Sequence, residues 1–298
     1  MTDLPLTERA NPSTTDLDRL STHDLLHRMN DEDRRVAWAV EREIGAIAAA
    51  VDAIAERLKG GGRLHYFGAG SSGRIGVLDA SEIPPTFSAP PDLVVGHIAG
   101  GWPALTSAVE SAEDDEQAGA EEVIAAGVCS RDAVVGVSAG GTTPYVVGAM
   151  RAANAAGALT VALVSAADSP VTAIANLSIV PATGPEVLTG STRLKAGTAQ
   201  KLVLNMLSTA VMVKLGKVHG NLMVDLQAGN AKLRARAERL VLQLSSASSG
   251  EARAALEASG WRVKPAVLQL VHGCSAEEAT LRLERTGGSL RAALDEGH

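Results

Sequence analysis

Aromatic residues are scarce in this sequence, and their scarcity narrows the classes of protein it can be. The 298 residues include two Phe, three Trp and two Tyr, together 2%. Proteins that bind nucleic acid by base stacking need several exposed aromatic rings, so we expect no nucleic-acid partner. Hydrophobic residues still make up 46% of the chain, which predicts a globular core built from Ala, Val, Leu and Ile.

The sequence also contains few cysteines and no excess of positive charge. The two cysteines, Cys129 and Cys274, lie far apart without a metal-ligand spacing, which argues against a disulfide framework and a zinc knuckle. We also predict no metal site at the seven histidines. Acidic residues outnumber basic ones by 34 to 27, a net charge of -7, so bulk binding to nucleic acid or to an anionic membrane is not expected.

Long hydrophobic runs are missing as well. Nowhere do about 18 apolar residues follow one another, the length needed to span a bilayer. The first nine residues hold neither the basic nor the apolar segment of a secretion signal. We therefore expect a cytoplasmic protein with no membrane partner.

Alternating β-type and helical segments predict the fold. A polar stretch to residue 30 precedes a long amphipathic helix over 31–58, and five short apolar runs follow. Strands that are apolar throughout are typical of a sheet covered on both faces. We predict an α/β fold, a doubly wound parallel sheet of about five strands flanked by helices. The predicted strands are 63–67, 92–98, 132–138, 159–165 and 177–181.

The last third of the chain is helical in pattern. A helix is predicted from 194 to 217, and charged helical residues continue to about 244. The serine-rich stretch 245–250 is typical of a linker, and three or four short helices separated by glycines follow it. Such a segment favours a small helical bundle. We predict two domains: residues 1–240 form the α/β domain with an N-terminal helical arm, and residues 241–298 form the helical one.

The glycine-rich segment 68–76 is the sharpest local signal. It follows the first apolar run and opens a helix, so its backbone can approach an anion at the helix N-terminus. Its spaced glycines also satisfy the G-x-G-x-x-G pattern of dinucleotide sites. However, Ser71 and Ser72 follow Gly70 and place paired hydroxyls where a phosphate would lie. The segment predicts a phosphate site, and a tight turn without a ligand is the alternative.

Two further hydroxyl-rich segments precede predicted helices. Ser138, Thr142 and Thr143 follow the third predicted strand, where ligands of open α/β sheets gather. This loop and the glycine-rich segment could clamp one phosphate from both sides, although a threonine N-cap before the following proline is an equal alternative. Ser191 and Lys195 lie at the start of a later predicted helix. They are candidate ligands for the substrate, and a plain helix N-cap is the alternative.

Carboxylates at two places are candidates for acid–base chemistry. Glu82 lies just before a double proline, which restricts where its side chain can point. Glu113 belongs to the acidic run 110–116, on the helix predicted after the second strand. Most carboxylates in such a run lie on a solvated helix face. A pair that converged from separate elements would suit proton transfer.

Longer motifs resemble a known family. The segments 68–86, 108–114, 189–209 and 216–225 closely resemble those of N-acetylmuramic acid 6-phosphate etherases, and the match extends from about Asp18 to the C-terminal helices. These motifs are far more specific than the glycine pattern. The resemblance implies a sugar isomerase (SIS) fold and a C-terminal bundle like a ubiquitin-associated domain. It also implies a homodimer, a phosphosugar substrate and no metal or organic cofactor.

The resemblance implies roles for individual residues. The substrate would be N-acetylmuramic acid 6-phosphate, and the products N-acetylglucosamine 6-phosphate and D-lactate. Glu82 matches the family's proton donor to the departing lactate oxygen. Glu113 matches its second catalytic acid, which we interpret as the base at C2. Ser71 and Ser72 match phosphate-loop positions.

The second loop departs from the family's pattern. The family usually reads Ser-Gly-Arg-Thr-Pro where this chain has Gly-Gly-Thr-Thr-Pro at 140–144. A hydroxyl and a guanidinium are absent, and Ser138 or Thr142 is the candidate substitute. Two other functions stay open: an SIS aldose–ketose isomerase, and a phosphosugar-sensing regulator without turnover. The presence of Glu82 and Glu113 argues against a pure sensor.

Overall fold

A five-stranded parallel sheet forms the centre of the larger part of the chain. The computed structural model describes residues 4–109, 111–226 and 228–296. The strand order is β2-β1-β3-β4-β5 and every pairing is parallel, which confirms the predicted sheet. The strands are β1 Leu64–Gly68, β2 Val94–Ile98, β3 Ala133–Val137, β4 Leu159–Leu163 and β5 Leu177–Ile179. β1, β3 and β4 are buried along their whole length, as expected for strands covered on both faces.

Besides the sheet, the described residues form twelve α-helices and five short 3₁₀ helices. The α-helices are α1 Thr22–Glu41, α2 Ile44–Lys59, α3 Gly70–Phe87, α4 Glu116–Ala125, α5 Pro144–Ala155, α6 Pro170–Ile174, α7 Lys195–Lys214, α8 Ala231–Leu244, α9 Ser249–Ala258, α10 Val263–His272, α11 Ala276–Arg285 and α12 Leu290–Asp295. The 3₁₀ helices are Leu6–Glu8, Pro12–Thr14, Leu17–Arg19, Trp102–Leu105 and Ala112–Asp114.

The single helix predicted over 31–58 is wrong, because two helices cover this region. α1 begins earlier than predicted, where the Ser21 side chain accepts a hydrogen bond from the Asp24 N–H. It ends before Arg42, and α2 begins two residues later. The Glu43 carboxylate accepts a hydrogen bond of 2.9 Å from the Val180 N–H beyond β5. The break therefore lets a polar side chain hold the edge of the sheet.

The chain folds into two compact units. The first unit runs to Ser81 and resumes over Asp92–Ser208; the second takes Glu82–Pro91 and the described residues from Thr209 onward. In the second unit α8 packs on α9 and α10, and α10 packs on α11 and α12. Their apolar side chains form one buried cluster. The predicted three or four short helices of the C-terminal segment are present as four, α9 to α12. The predicted division after residue 240 stays a prediction.

A buried lysine connects three segments of the second unit by hydrogen bonds. Lys264 Nζ donates hydrogen bonds to Asp225 Oδ2 at 2.6 Å, to Gly216 O at 2.8 Å and to Gly288 O at 2.7 Å. Burial lowers the pKa of Lys264, but three acceptors satisfy its ammonium group. The family-like segment 216–225 is therefore anchored to α10 at both of its ends.

A chain of buried and partly buried polar side chains crosses the first unit beside the sheet. His65 Nδ1 lies 3.0 Å from His97 Nε2, and His97 Nδ1 lies 3.0 Å from Glu122 Oε1. The Tyr145 hydroxyl donates to the other oxygen of Glu122. Burial, followed by the nearby His97, lowers the pKa of His65 to about 4. The interior therefore holds His65 as a neutral ring.

The neutral state of His65 predicts a loss of stability in mild acid. The pKa of His65 falls from an ordinary 6.5 to about 4 on folding, so between these values the unfolded chain binds the extra proton. The free energy of unfolding should fall as pH drops from about 6.5 to about 4, by on the order of 3 kcal/mol from this group. Urea titrations of the wild type and of His65→Gln at several pH values measure it. A variant that kept the full slope would contradict the assignment.

Candidate active site

The two predicted phosphate loops leave the carboxyl ends of neighbouring strands. β1 ends at Gly68 and β3 at Val137, and these residues are partners in the parallel register. The sheet order reverses between these strands, since β1 connects to β2 on one side and β3 to β4 on the other. Open α/β sheets bind ligands at such a reversal. The structure thus brings both hydroxyl-rich loops to one edge.

The loop after β1 passes into α3 with almost no space between strand and helix. A Cβ atom added at Gly68 would lie 2.7 Å from the Gly73 nitrogen, and Gly70 has a φ of +52°, so the turn requires glycine at both positions. Ser71 and Ser72 lie in the first turn of α3 and are partly exposed. Their hydroxyls make no hydrogen bond to another described residue. Both hydroxyl groups are therefore available as hydrogen-bond donors at the carboxyl edge of the sheet. They lie next to the backbone N–H groups of the first turn of α3, which have no partner within the helix.

The loop after β3 uses its hydroxyls partly to hold its own shape. Ser138 Oγ is buried, accepts a hydrogen bond from the Gly141 N–H at 3.0 Å and lies 2.8 Å from Thr143 Oγ1. The Thr143 side chain forms no N-cap hydrogen bond to α5. A Cβ at Gly141 would lie 2.3 Å from Ser169 Oγ. Of the three predicted ligands in this loop, Thr142 is exposed and the other two stabilise the turn.

A cavity of about 360 Å³ opens beside this loop. The residues that line it come from four segments: Leu4, Pro5, Leu6, Arg9, Gly140, Thr142, Ser165, Ala166, Ala167, Asp168, Val180 and Ala182. Arg9 brings a guanidinium, whose Nε donates to Leu4 O at 2.9 Å. Ser165 Oγ is buried without a hydrogen-bond partner in the described part of the chain. Sequence reasoning missed Arg9, Ser165 and Asp168, although Ser165 follows a strand as the predicted ligands do.

The segment before α7 has its own polar anchor. Glu186 is buried, and its carboxylate accepts hydrogen bonds from the N–H groups of Lys195 at 2.9 Å and Ala196 at 3.0 Å. Burial raises the pKa of Glu186. Lys195 Nζ donates to Glu32 Oε2 at 2.6 Å, and both side chains are buried. Burial alone would raise the pKa of Glu32, but the hydrogen bond and charge of Lys195 hold it below its usual value.

The start of α7 also lies next to the start of α3. A Cβ at Gly197 would contact Ile75 Cδ1 at 3.6 Å, and Asp79 on α3 accepts hydrogen bonds from the hydroxyls of Tyr66 and Ser208. Ser191 is partly exposed in the turn that precedes α7. The structure therefore brings the start of α7, which Ser191 precedes, next to the helix that follows the first predicted loop. Lys195 is held inside by its ion pair, and its contact with a substrate stays a prediction.

The two candidate acids are both exposed in the single chain. Glu82 lies on α3, which continues through Pro84 and Pro85 and does not end before them. Glu82 itself is exposed to solvent. Glu113 lies in the short 3₁₀ helix Ala112–Asp114, so its predicted placement on the α-helix after the second strand is wrong. The Asp115 side chain accepts a hydrogen bond from the Ala118 N–H and caps α4, which begins at Glu116, three residues after Glu113.

Arg74 connects the first loop to the segment that leads to Glu113. Its Nε donates to Leu105 O and its Nη2 to Ser107 O, each at 3.2 Å. Arg74 lies one residue after Gly73, in the second turn of α3. The guanidinium thus fixes the chain after β2 against the start of α3.

Comparisons with known proteins find similarity to an SIS domain, to etherases and to a phosphosugar isomerase. Residues 46–154 match the model of the glucokinase regulatory protein N-terminal SIS domain. An N-acetylmuramic acid 6-phosphate etherase of Caldanaerobacter subterraneus is 52% identical over 97% of this chain and 94% of its own length. One of Mycolicibacterium smegmatis is 53% identical over 98% of both chains. A phosphoheptose isomerase structure from Francisella tularensis has a TM-score of 0.50 at 19% identity, covering 65% of this chain and 100% of its own.

The buried pair of Lys195 and Glu32 predicts a measurable coupling. Lys195→Met removes the buried cation and leaves the Glu32 carboxylate with the exposed Arg35 as its ion-pair partner. It should reduce the free energy of unfolding by about 2–3 kcal/mol, less than the cost of a buried charge with no partner. Adding Glu32→Leu removes the second charge and should recover most of that loss. Urea denaturation measures both variants, with the exposed Lys59→Met as a control expected to change stability by under about 1 kcal/mol. A double variant no more stable than Lys195→Met would contradict the coupling.

Proposed function

Because this chain belongs to the N-acetylmuramic acid 6-phosphate etherase family, we propose that it cleaves the D-lactyl ether of N-acetylmuramic acid 6-phosphate. The products are N-acetylglucosamine 6-phosphate and D-lactate, and the enzyme is a carbon–oxygen lyase of cell-wall amino sugar recycling. The observation that carries this function is about 52% identity to such etherases over 97% of the chain. The parallel α/β sheet with paired hydroxyl-rich loops supports a phosphosugar substrate.

The reaction needs only proton transfers and a stabilised anion. In the open-chain sugar, the C1 aldehyde acidifies the proton on C2. A base removes that proton, the C3–O bond breaks with its electron pair, and the departing lactate oxygen takes a proton from an acid. Water then adds to C3 of the unsaturated aldehyde, and C2 is protonated again.

Two carboxylates fit these proton transfers. We assign Glu113 as the base at C2 and Glu82 as the acid that protonates the lactate oxygen. Both side chains are exposed in the single chain, so a substrate can reach them. Arg74 supports the assignment of Glu113, because it holds the preceding segment against the first loop. No metal or organic cofactor enters this scheme.

The phosphate is assigned to the edge of the sheet. Ser71 and Ser72 offer hydroxyls beside the N-terminus of α3, where the helix dipole favours a negative charge. Thr142 lines the adjoining cavity with Arg9 and Ser165. The guanidinium of Arg9 supplies positive charge at an edge whose second loop carries none.

We further propose a cytoplasmic homodimer. The described residues include no helix long and apolar enough to cross a membrane. Large apolar side chains are exposed on the single chain, with Trp102 at 82% and Ile124 at 74%. Burial against a second copy of the chain would remove this apolar surface from water.

Lactate release and proton exchange test the function and the two roles together. The wild type should release D-lactate and, in D₂O, leave deuterium at C2 of the product; an aldose–ketose isomerase would release no lactate. Glu82→Gln should lose lactate release by a factor on the order of 10² or more and still exchange the C2 proton in remaining substrate. Glu113→Gln should lose both activities. NMR of the C2 proton and an enzymatic lactate assay measure them.

A variant of Asp114 shows whether Glu113 or its neighbour is the base at C2. Asp114 lies beside Glu113 in the same 3₁₀ helix, so Asp114→Asn is the control. The assignment fails if Glu113→Gln exchanges C2 normally while Asp114→Asn does not. Near-normal turnover in Glu82→Gln would transfer the acid role to another residue.

The phosphate assignment predicts a defect in binding. Replacing both Ser71 and Ser72 by Ala should raise KM for the phosphosugar much more than it changes kcat, because their hydroxyls contact a group remote from the reacting carbons. Steady-state lactate release measures both constants. Ser249→Ala, an exposed serine on α9, should leave KM unchanged. An unaltered KM in the double variant would place the phosphate elsewhere.

A further inference from the structure

Two histidine rings lie together on the exposed face of α1. His23 and His27 are four residues apart, so they occupy successive turns of one helix face. Their Nε2 atoms are 3.2 Å apart and their ring centroids 4.4 Å apart. His23 has 78% of its side chain exposed, and His27 is also exposed. The prediction of no metal site overlooks this four-residue spacing.

The distance between the two nitrogens suits a shared metal ion. Two imidazole nitrogens bound to one zinc at about 2.0–2.1 Å, at a tetrahedral angle, lie about 3.3 Å apart. The observed 3.2 Å therefore needs almost no movement of either ring. Without a metal, one of the two Nε2 atoms must donate a proton to the other. When a cation binds, that proton moves to Nδ1 of the same ring, so the ring stays neutral and both Nε2 lone pairs become available.

An acidic neighbour sets the tautomer that such a site requires. His23 Nδ1 lies 3.4 Å from Asp24 Oδ1, so a proton on Nδ1 faces a carboxylate and leaves the Nε2 lone pair available. Asp24 is itself held, because Ser21 Oγ donates to its other carboxylate oxygen at 2.7 Å. Carboxylates that orient ligating histidines in this way raise metal affinity.

We propose that His23 and His27 chelate one divalent transition-metal ion through their two Nε2 atoms. Imidazole ligands select zinc, nickel and copper over magnesium and calcium. In the described part of the chain no group of three or more His, Cys, Asp or Glu side chains could hold an ion. Water therefore completes the coordination. This site uses none of the residues assigned to phosphate binding or proton transfer, and it does not depend on the proposed reaction.

Calorimetric titration of the untagged full-length chain with zinc chloride tests the proposal. The wild type should bind one ion per chain. His23→Gln and His27→Gln should each weaken binding at least about tenfold, since the second ring of a chelate binds as an intramolecular ligand at high effective concentration. Asp24→Asn should weaken it by about tenfold through the orientation of His23.

A variant with the same number of histidines separates chelation from simple histidine content. In His27→Gln combined with Asn30→His, the two rings are seven residues apart and about 10 Å apart along the helix, too far to share an ion. This variant should bind zinc as weakly as His27→Gln. On zinc addition to the wild type, ¹⁵N NMR should shift the Nε2 signals of His23 and His27 together. Wild-type affinity in either single histidine variant, or in the displaced-histidine variant, overturns the proposal.

Discussion

The close packing of β1 against the first turns of α3 is the constraint on which the candidate site depends. A Cβ at Gly68 would meet the Gly73 nitrogen at 2.7 Å, and a Cβ at Gly73 would meet Ile98 Cγ1 at 2.6 Å. No side chain therefore separates the helix from β1 at this point, and Ile98 of β2 packs directly on Gly73. This close approach is what leaves Ser71, Ser72 and the first N–H groups of α3 at the edge of the sheet. Any larger residue would move all of them.

Buried polar groups then fix the segments that surround that edge. Asp79 joins β1, α3 and α7 through two hydroxyls, Glu186 holds the first N–H groups of α7, and Glu32 pairs with Lys195. Such pairs add little net stability, because dehydration opposes their attraction. Their partners are nevertheless specific in direction, so an alternative packing would leave a buried group unsatisfied.

Local patterns make the sheet and both loops predictable, whereas pairings between distant residues leave no such signal. The strands follow from apolar runs, and the loop positions follow from glycine and hydroxyl residues directly after them. Lys195 and Glu32 lie 163 residues apart, and the N-terminal segment reaches the cavity beside Thr142 only in the folded chain. The acidic run around Glu113 is typical of a helix, but Asp115 caps α4 after it. This single hydrogen bond decides where the helix begins.

The exposure of the two candidate carboxylates, Glu82 and Glu113, affects how the proton transfers can work. A carboxylic acid keeps its proton near neutral pH only where burial or a like charge raises its pKa. Glu82 and Glu113 are exposed in the single chain, so dehydration of the acid has to come from what binds over it. A sugar phosphate covers part of such a surface and leaves its rim open to water. A second copy of the chain would exclude that water. If the proposed homodimer places a second copy over this surface, it serves the acid chemistry as well as burying exposed apolar side chains.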